Sequence, residues 1–303
     1  MNNFHLQFLL SIVIILLGYV LKRTHIIKEA DGEAIARIVF NVTLPCVIIV
    51  TFSSVEFDFN LLWLVLIGLG FGLFNWIVAY LVFRNQSSRM KGTFMMMVPG
   101  MNIGLFAYPL VEGLWGLEGL KYFGMLDVGN SFIVFGLTFL IAAYYSGGKG
   151  TVEIRTIFTR VFRSIPLVTY LVMFILNIIN FSMPEFLFDT ASVISSANMP
   201  LSLLLLGIYL NFSMKKEHLH RLSTFLLTKY GIGITASMLC YYLIPIDGLF
   251  LYTLMIGFIL PTPISVVPYA VIFKYDKKLV GSASNLTLLI SFVLIWLTTT
   301  FVL

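Results

Sequence analysis

Only 11% of the 303 residues are charged, while 59% are hydrophobic and the mean hydropathy is +0.97. A soluble domain carries charge on about a quarter of its residues. A soluble enzyme, a nucleic-acid-binding protein and a disordered chain are therefore excluded, and the solvent is a bilayer.

A membrane helix needs about 20 apolar residues. Runs of this kind occupy residues 4–21, 34–52, 61–83, 94–114, 122–145, 165–181, 187–212, 222–243, 250–273 and 279–303, which predicts ten spans. The first lacks both the basic lead and the small-residue cleavage site of a signal peptide, so it reads as a span. Cys46 lies in the second run and Cys240 in the eighth; both read as buried small hydrophobes, with no disulfide framework and no metal-ligand spacing. Gly68, Gly70 and Gly72 in the third run predict a face for close helix packing. The longest connector, 146–164, places Ile154, Ile157, Phe158, Val161 and Phe162 at helical spacing opposite Arg155, Arg160 and Arg163. That pattern predicts an amphipathic helix on the membrane surface. His218 and His220 read as residues of a solvated turn.

Charge sets the orientation. Lys22, Arg23, Lys28 and Arg37, then Arg84, Arg89 and Lys91, then Lys149, Arg155, Arg160 and Arg163 surround alternate connectors. Lys215, Lys216, Arg221 and Lys229, and finally Lys274, Lys277 and Lys278, continue the series, leaving Lys121 opposite. Cytoplasmic loops collect lysine and arginine, so this face is cytoplasmic and both termini lie outside the cytoplasm. No lysine or arginine is read as lying deep in a span.

Seven prolines lie within apolar runs: Pro45, Pro99, Pro109, Pro200, Pro261, Pro263 and Pro268. Each removes a backbone donor and kinks or breaks a helix. Their spacing repeats: Pro45 to Pro200 is 155 residues, Pro99 to Pro261 is 162 and Pro109 to Pro268 is 159. Five spans per half is an odd number, so the second half enters the membrane from the opposite side. The chain thus reads as an all-α integral membrane protein of ten transmembrane helices. They form two inverted five-helix repeats, residues 1–150 and 151–303, with broken helices 4 and 9. Paired interruptions in matching spans point to a transporter's binding site.

The fourth run, Pro99-Gly-Met-Asn102-Ile-Gly104-Leu-Phe-Ala-Tyr-Pro109-Leu110, resembles the asparagine–glycine…proline–leucine stretch of the auxin efflux carrier family. Asn41…Leu44-Pro45, Asn198-Met-Pro200-Leu201…Gly207 and Leu260-Pro261-Thr-Pro263…Tyr269-Ala270 are similar to it as well. The resemblance implies that helices 4 and 9 cross near the membrane centre, with helices 1, 2, 6 and 7 as scaffold and 3–5 plus 8–10 as a moving, elevator-like transport unit. It further implies a secondary carrier in the cell membrane for auxin-like or malate- and malonate-like carboxylates, and a homodimer formed through the scaffold. The short central connector favours a bacterial-type member.

A helix broken at mid-depth presents unpaired donors at one end and acceptors at the other, equivalent to about +0.5 and −0.5 charge. Donors from Asn102 and from backbone near Pro99, Gly100, Thr262 and Pro263 could hold a carboxylate. The Asn102 amide can donate to it or cap the second half-helix. Ser265 and Thr262 carry hydroxyls that serve a ligand or bond back within their own helix. Asn41 and Asn198 either face the substrate or repair a kink. Asp127, with Asn130 beside it, is the acid well inside a span; buried without a cationic partner it could carry a proton. Lying about 8 Å inside the fifth span at 1.5 Å per residue, it could equally sit at a wetted cavity mouth. Coupling to protons or to sodium is open, and no other cofactor is expected. A channel or receptor of the same architecture, and an intramembrane enzyme, are the alternative readings.

Overall fold

The computed structural model describes residues 3–54, 59–146, 159, 162–211, 219–244 and 248–302. All regular structure among the described residues is helical. Six helical stretches are long and apolar enough to cross a membrane, and Ile165–Ile178 and Leu249–Phe258 are shorter apolar helices.

Helix α1 (Asn3–Arg23) closes on Lys22 and Arg23, cations that suit the carbonyl end of a helix. Helix α2 (Asp31–Ile38) opens on Asp31 and Glu33, which suit the donor end, and passes through a π turn, Val39–Thr43, into α3 (Leu44–Ser54). The wider π turn closes with Leu44 N donating to Val39 O, and the helix continues unbroken past Pro45. Helix α4 (Leu62–Phe83) follows.

Helix α5 (Ser88–Met97) stops at a non-helical stretch, 98–102; a π turn, Ile103–Ala107, then leads into α6 (Tyr108–Ser131). Another π turn, Phe132–Leu137, joins α6 to α7 (Thr138–Tyr145). The stretch Ile103–Tyr145 counts 43 residues, about 65 Å of helix against roughly 30 Å of hydrocarbon. Gly116, at φ 58° and ψ −146°, divides it into two helices. Only glycine adopts that backbone cheaply. Pro109, expected to break the fourth span, instead sits second in α6 behind the π turn.

Helix α8 (Ile165–Ile178) starts with Ser164 accepting from Leu167 N and with Pro166 in its first turn. Helices α9 (Glu185–Ser195) and α10 (Asn198–Tyr209) meet at a short turn. Pro200 lies in the first turn of α10, where a missing donor costs nothing. Helix α11 (Leu219–Leu243) precedes α12 (Leu249–Phe258), a second non-helical stretch at 259–265, and α13 (Val266–Ile272). Pro268 occupies the first turn of α13 and adds no further break. Asp276 caps α14 (Lys277–Phe301) by accepting from Lys278 N and Leu279 N.

The chain forms two compact units. One comprises Met1–Leu62, Ile103–Met125 and Phe162–Leu210. In it α1 packs on α10, and α3 packs on α8 and α9. Without a hydrophobic drive between helices in lipid, close approach of small residues carries such contacts. A Cβ on Gly207 would lie 2.0 Å from Ile15 O, and one on Gly18 2.2 Å from Leu204 O. Outward-pointing Leu9, Val13, Leu16 and Val20 of α1 are half exposed, a surface suited to lipid and not to water.

The other unit comprises Trp63–Asn102, Leu126–Val161 and Asn211–Leu303. A Cβ on Gly129 would lie 2.0 Å from Val65 O and one on Gly68 2.6 Å from Leu126 O, so α4 touches the end of α6 backbone to backbone. Gly72 abuts Ile133, whereas Gly70 has open space beside it; the expected glycine face narrows to Gly68 and Gly72. Stacked Phe83, Phe94 and Phe225 centre its core, with Met95, Met96 and Met97 filling between them.

The amphipathic helix expected in 146–164 lies outside the described residues except for Ser146, Thr159 and 162–164, and His218 lies outside them too. His220 is exposed, and Cys46 and Cys240 are unpaired and half-buried.

Candidate functional site

The two interruptions of helical geometry both belong to the second unit, and they touch. Asn102 N donates to Pro261 O at 2.9 Å, tying the end of one interruption to the middle of the other. A Cβ on Gly100 would come within 2.6 Å of Pro263 Cγ, so only glycine lets the chain pass that proline ring. Pro99, Gly100, Asn102, Thr262 and Pro263 are all buried here.

Backbone groups freed in hydrocarbon each cost several kcal/mol unless a partner is supplied. Side chains supply them. The Asn130 amide serves Met101 twice, accepting from its N at 2.9 Å and donating to its O at 2.9 Å, and also donates to Asp127 Oδ1 at 3.1 Å. Thr262 Oγ1 donates to Met97 O at 3.1 Å, while Thr262 N donates to Thr287 Oγ1 at 3.2 Å. Ser291 Oγ donates to Ile259 O at 2.6 Å, and Tyr230 OH beside it donates to Thr287 O at 2.7 Å. Thr262 therefore holds the two interruptions together.

Lys229 corrects the sequence reading. Its place in the sequence predicts the cytoplasmic flank of α11 and no deep cation. Instead it is 6% exposed, and its Nζ donates to Gly100 O at 3.1 Å and Val98 O at 3.3 Å. Its long stem spans the distance from α11 to the carbonyl end of α5, whose partial negative charge draws an ammonium. The signal was its position seven residues inside an apolar run, which can mark either a flank or a buried charge. Thr287 and Ser291 were missed as well. They follow Asp127 and Asn130 at offsets of 160 and 161 residues, inside the 155–162 range of the proline pairs.

Two polar atoms near the interruptions lack a partner among the described residues: Asn102 Nδ2 and Ser265 Oγ. Asn102 is 5% exposed, so this amide donor is shut away from bulk water. Ser265 precedes α13 but does not cap it. The helix that carries Asp127 starts after Gly116, earlier than the predicted run at 122–145, so Asp127 lies about 15 Å along it, at 8% exposure.

Asn41 and Asn198 belong to the first unit. Asn41 is exposed in the π turn, whereas Asn198 is fully buried and its Oδ1 accepts from Thr43 Oγ1 at 2.9 Å. Thr43 and Asn198 each stand two residues before a matched proline, Pro45 and Pro200. Thr43 carries no signal in the sequence reading, and Asn41, expected like Asn198 to face the substrate or repair a kink, is exposed. Among the described residues no cluster of three metal-ligating side chains occurs.

The junction is thus buried, polar and partly unsatisfied, and sequence comparison supplies the family. The family described as Membrane transport protein matches residues 7–303. The chain belongs to this family. It is the auxin efflux carrier family to which the proline and asparagine motifs pointed. Similar members include an uncharacterized transporter of Methanocaldococcus jannaschii, 25% identical over 297 residues and 95% of both chains. An uncharacterized transporter of Methanothermobacter thermautotrophicus is 29% identical over 207 residues, 66% of both chains. Together with the apolar helices, family membership makes the chain a multi-pass membrane protein of transporter type.

Proposed function

We propose that this family member is a secondary carrier of a small organic anion, a dicarboxylate of the malate or malonate type or an auxin-like acid, working by alternating access. The observation that carries this reading is the unpartnered Asn102 Nδ2, buried where the two helix interruptions meet. A carboxylate oxygen can accept from it, with Ser265 Oγ as a further donor. Pro99, Gly100, Thr262 and Pro263 shape the junction and hold it together.

Ten spans in two inverted halves are the arrangement we assign to the chain. Support comes from pairs that exchange between halves in the first unit: α1 with α10, and α3 with α8. The Thr43–Asn198 hydrogen bond and the matched supports Asp127/Asn130 and Thr287/Ser291 point the same way. The unit that carries both interruptions is the part we assign to substrate movement, and the one containing α1–α3 and α8–α10 is the scaffold, through which two copies would associate. The basic-residue asymmetry supports an orientation with both termini outside the cytoplasm, and the family resemblance supports placement in the cell membrane. Asp127, through Asn130 and Met101, is the group we assign to proton coupling.

A thermal-shift screen of carboxylates against wild type and Asn102→Ala tests the site. The expected result is a ligand that stabilises the wild type and leaves the variant unmoved. Equal stabilisation of both would remove Asn102 from the site.

A further inference from the structure

The last turn of α5 ends in carbonyls that its own helix does not pair, the equivalent of about half a negative charge. In carriers with discontinuous helices, unwound carbonyls and half-helix ends of this kind coordinate sodium or a proton. Here the position is filled from within the protein. Lys229 Nζ stands 3.1 Å from Gly100 O and 3.3 Å from Val98 O, and the side chain is buried. An ammonium shares with a sodium ion the two properties that matter at a ring of carbonyls: unit positive charge and no lone pair of its own.

We infer that Lys229 is a tethered cation occupying the cation position of the interrupted helix, so that the carrier binds its anion without sodium. The part concerning the anion rests on the carrier function proposed above; the part concerning the cation does not. The freed carbonyls around it are already committed: Met97 O to Thr262, Met101 O to Asn130, Ile259 O to Ser291 and Pro261 O to Asn102 N. A metal ion would have to displace one of these side chains or Lys229 itself. The charge balance also favours an anion. With the amine protonated, its unit charge against about half a negative one would leave the α5 end about half a unit positive. One ammonium hydrogen beyond the two in use, together with Asn102 Nδ2, then provides donors along the same short stretch.

The test compares purified wild type, Lys229→Arg and Lys229→Ser, melted in sodium, potassium and N-methylglucamine chloride at equal ionic strength. Wild type and Lys229→Arg are expected to melt at one temperature in all three salts. Lys229→Ser opens the position to solution cations. It is expected to melt lowest in N-methylglucamine and to gain about 2–4 °C in sodium or potassium, with methylammonium restoring a similar gain. A sodium-specific rise in the wild type overturns the inference, as does a folded Lys229→Ser protein indifferent to every cation. If Lys229→Ser yields no folded protein, the wild-type and Lys229→Arg melts decide the matter by their response to sodium. None of these melts needs a transported substrate, so they stay readable even if no carboxylate stabilises the protein.

Discussion

Asn130 gives Met101 the two hydrogen bonds that an uninterrupted helix would have given it. Replacing it with alanine strands a buried donor and a buried acceptor, at about 1–3 kcal/mol for each. Asn130→Ala is therefore expected to melt well below the wild type. Asn130→Asp keeps an acceptor for Met101 N but sets a second carboxyl against Asp127 Oδ1 and Met101 O, and should also melt below the wild type; equal melting of all three would contradict this role. Asp127 is tested separately. If it carries the coupled proton, Asp127→Asn flattens the pH profile of transport, and an unchanged profile removes it from the coupling path. At this scale the sequence was informative where chemistry is unusual for lipid: Asn102, Asn130 and Asp127 stand out in apolar runs. It was silent on Thr287 and Ser291, since a hydroxyl in a membrane helix more often bonds its own preceding turn. Lys229 misled because a lysine stem reaches far, so position along the chain does not fix where its charge resides.

Among the helices, the prolines divide into those that interrupt and those that are absorbed. Pro99, Pro261 and Pro263 lie in non-helical stretches; Pro45 and Pro109 follow π turns; Pro200 and Pro268 sit in first turns. Proline marks a missing donor in any sequence, but whether the helix stops depends on whether the neighbouring turn can widen or has just begun. That is why the interruptions were legible to the span and not to the residue. Glycine spacing had the same limit: Gly68, Gly70 and Gly72 look alike in sequence, and only the partner helix separates them. Gly207→Ala would push a Cβ into Ile15 O, 2.0 Å away, and is expected to cost about 1–3 kcal/mol of stability. Gly70→Ala meets nothing within 4 Å and gains helix propensity, so it should melt at or above the wild-type temperature. Comparable losses from both variants would contradict the backbone contact between α1 and α10.

For the whole chain, composition alone points to a bilayer, and among the described residues six helical stretches are long and apolar enough to cross one, with two shorter apolar helices besides. Burying Lys229 takes one residue from the basic face and leaves its asymmetry intact. A reporter active only outside the cytoplasm, fused after Leu303, is expected to be active; a silent one beside an active cytoplasmic reporter would reverse the assigned orientation. The central claim, a carrier built on a polar junction inside hydrocarbon, is tested most directly by flux of labelled malonate and auxin-like acids into vesicles containing the purified protein. We predict saturable uptake, acceleration by unlabelled substrate on the far side, recovery of the chemically unchanged acid, and loss of all this in Asn102→Ala. Flux that rises linearly without saturation, a chemically altered product, or uptake undiminished in Asn102→Ala would contradict it.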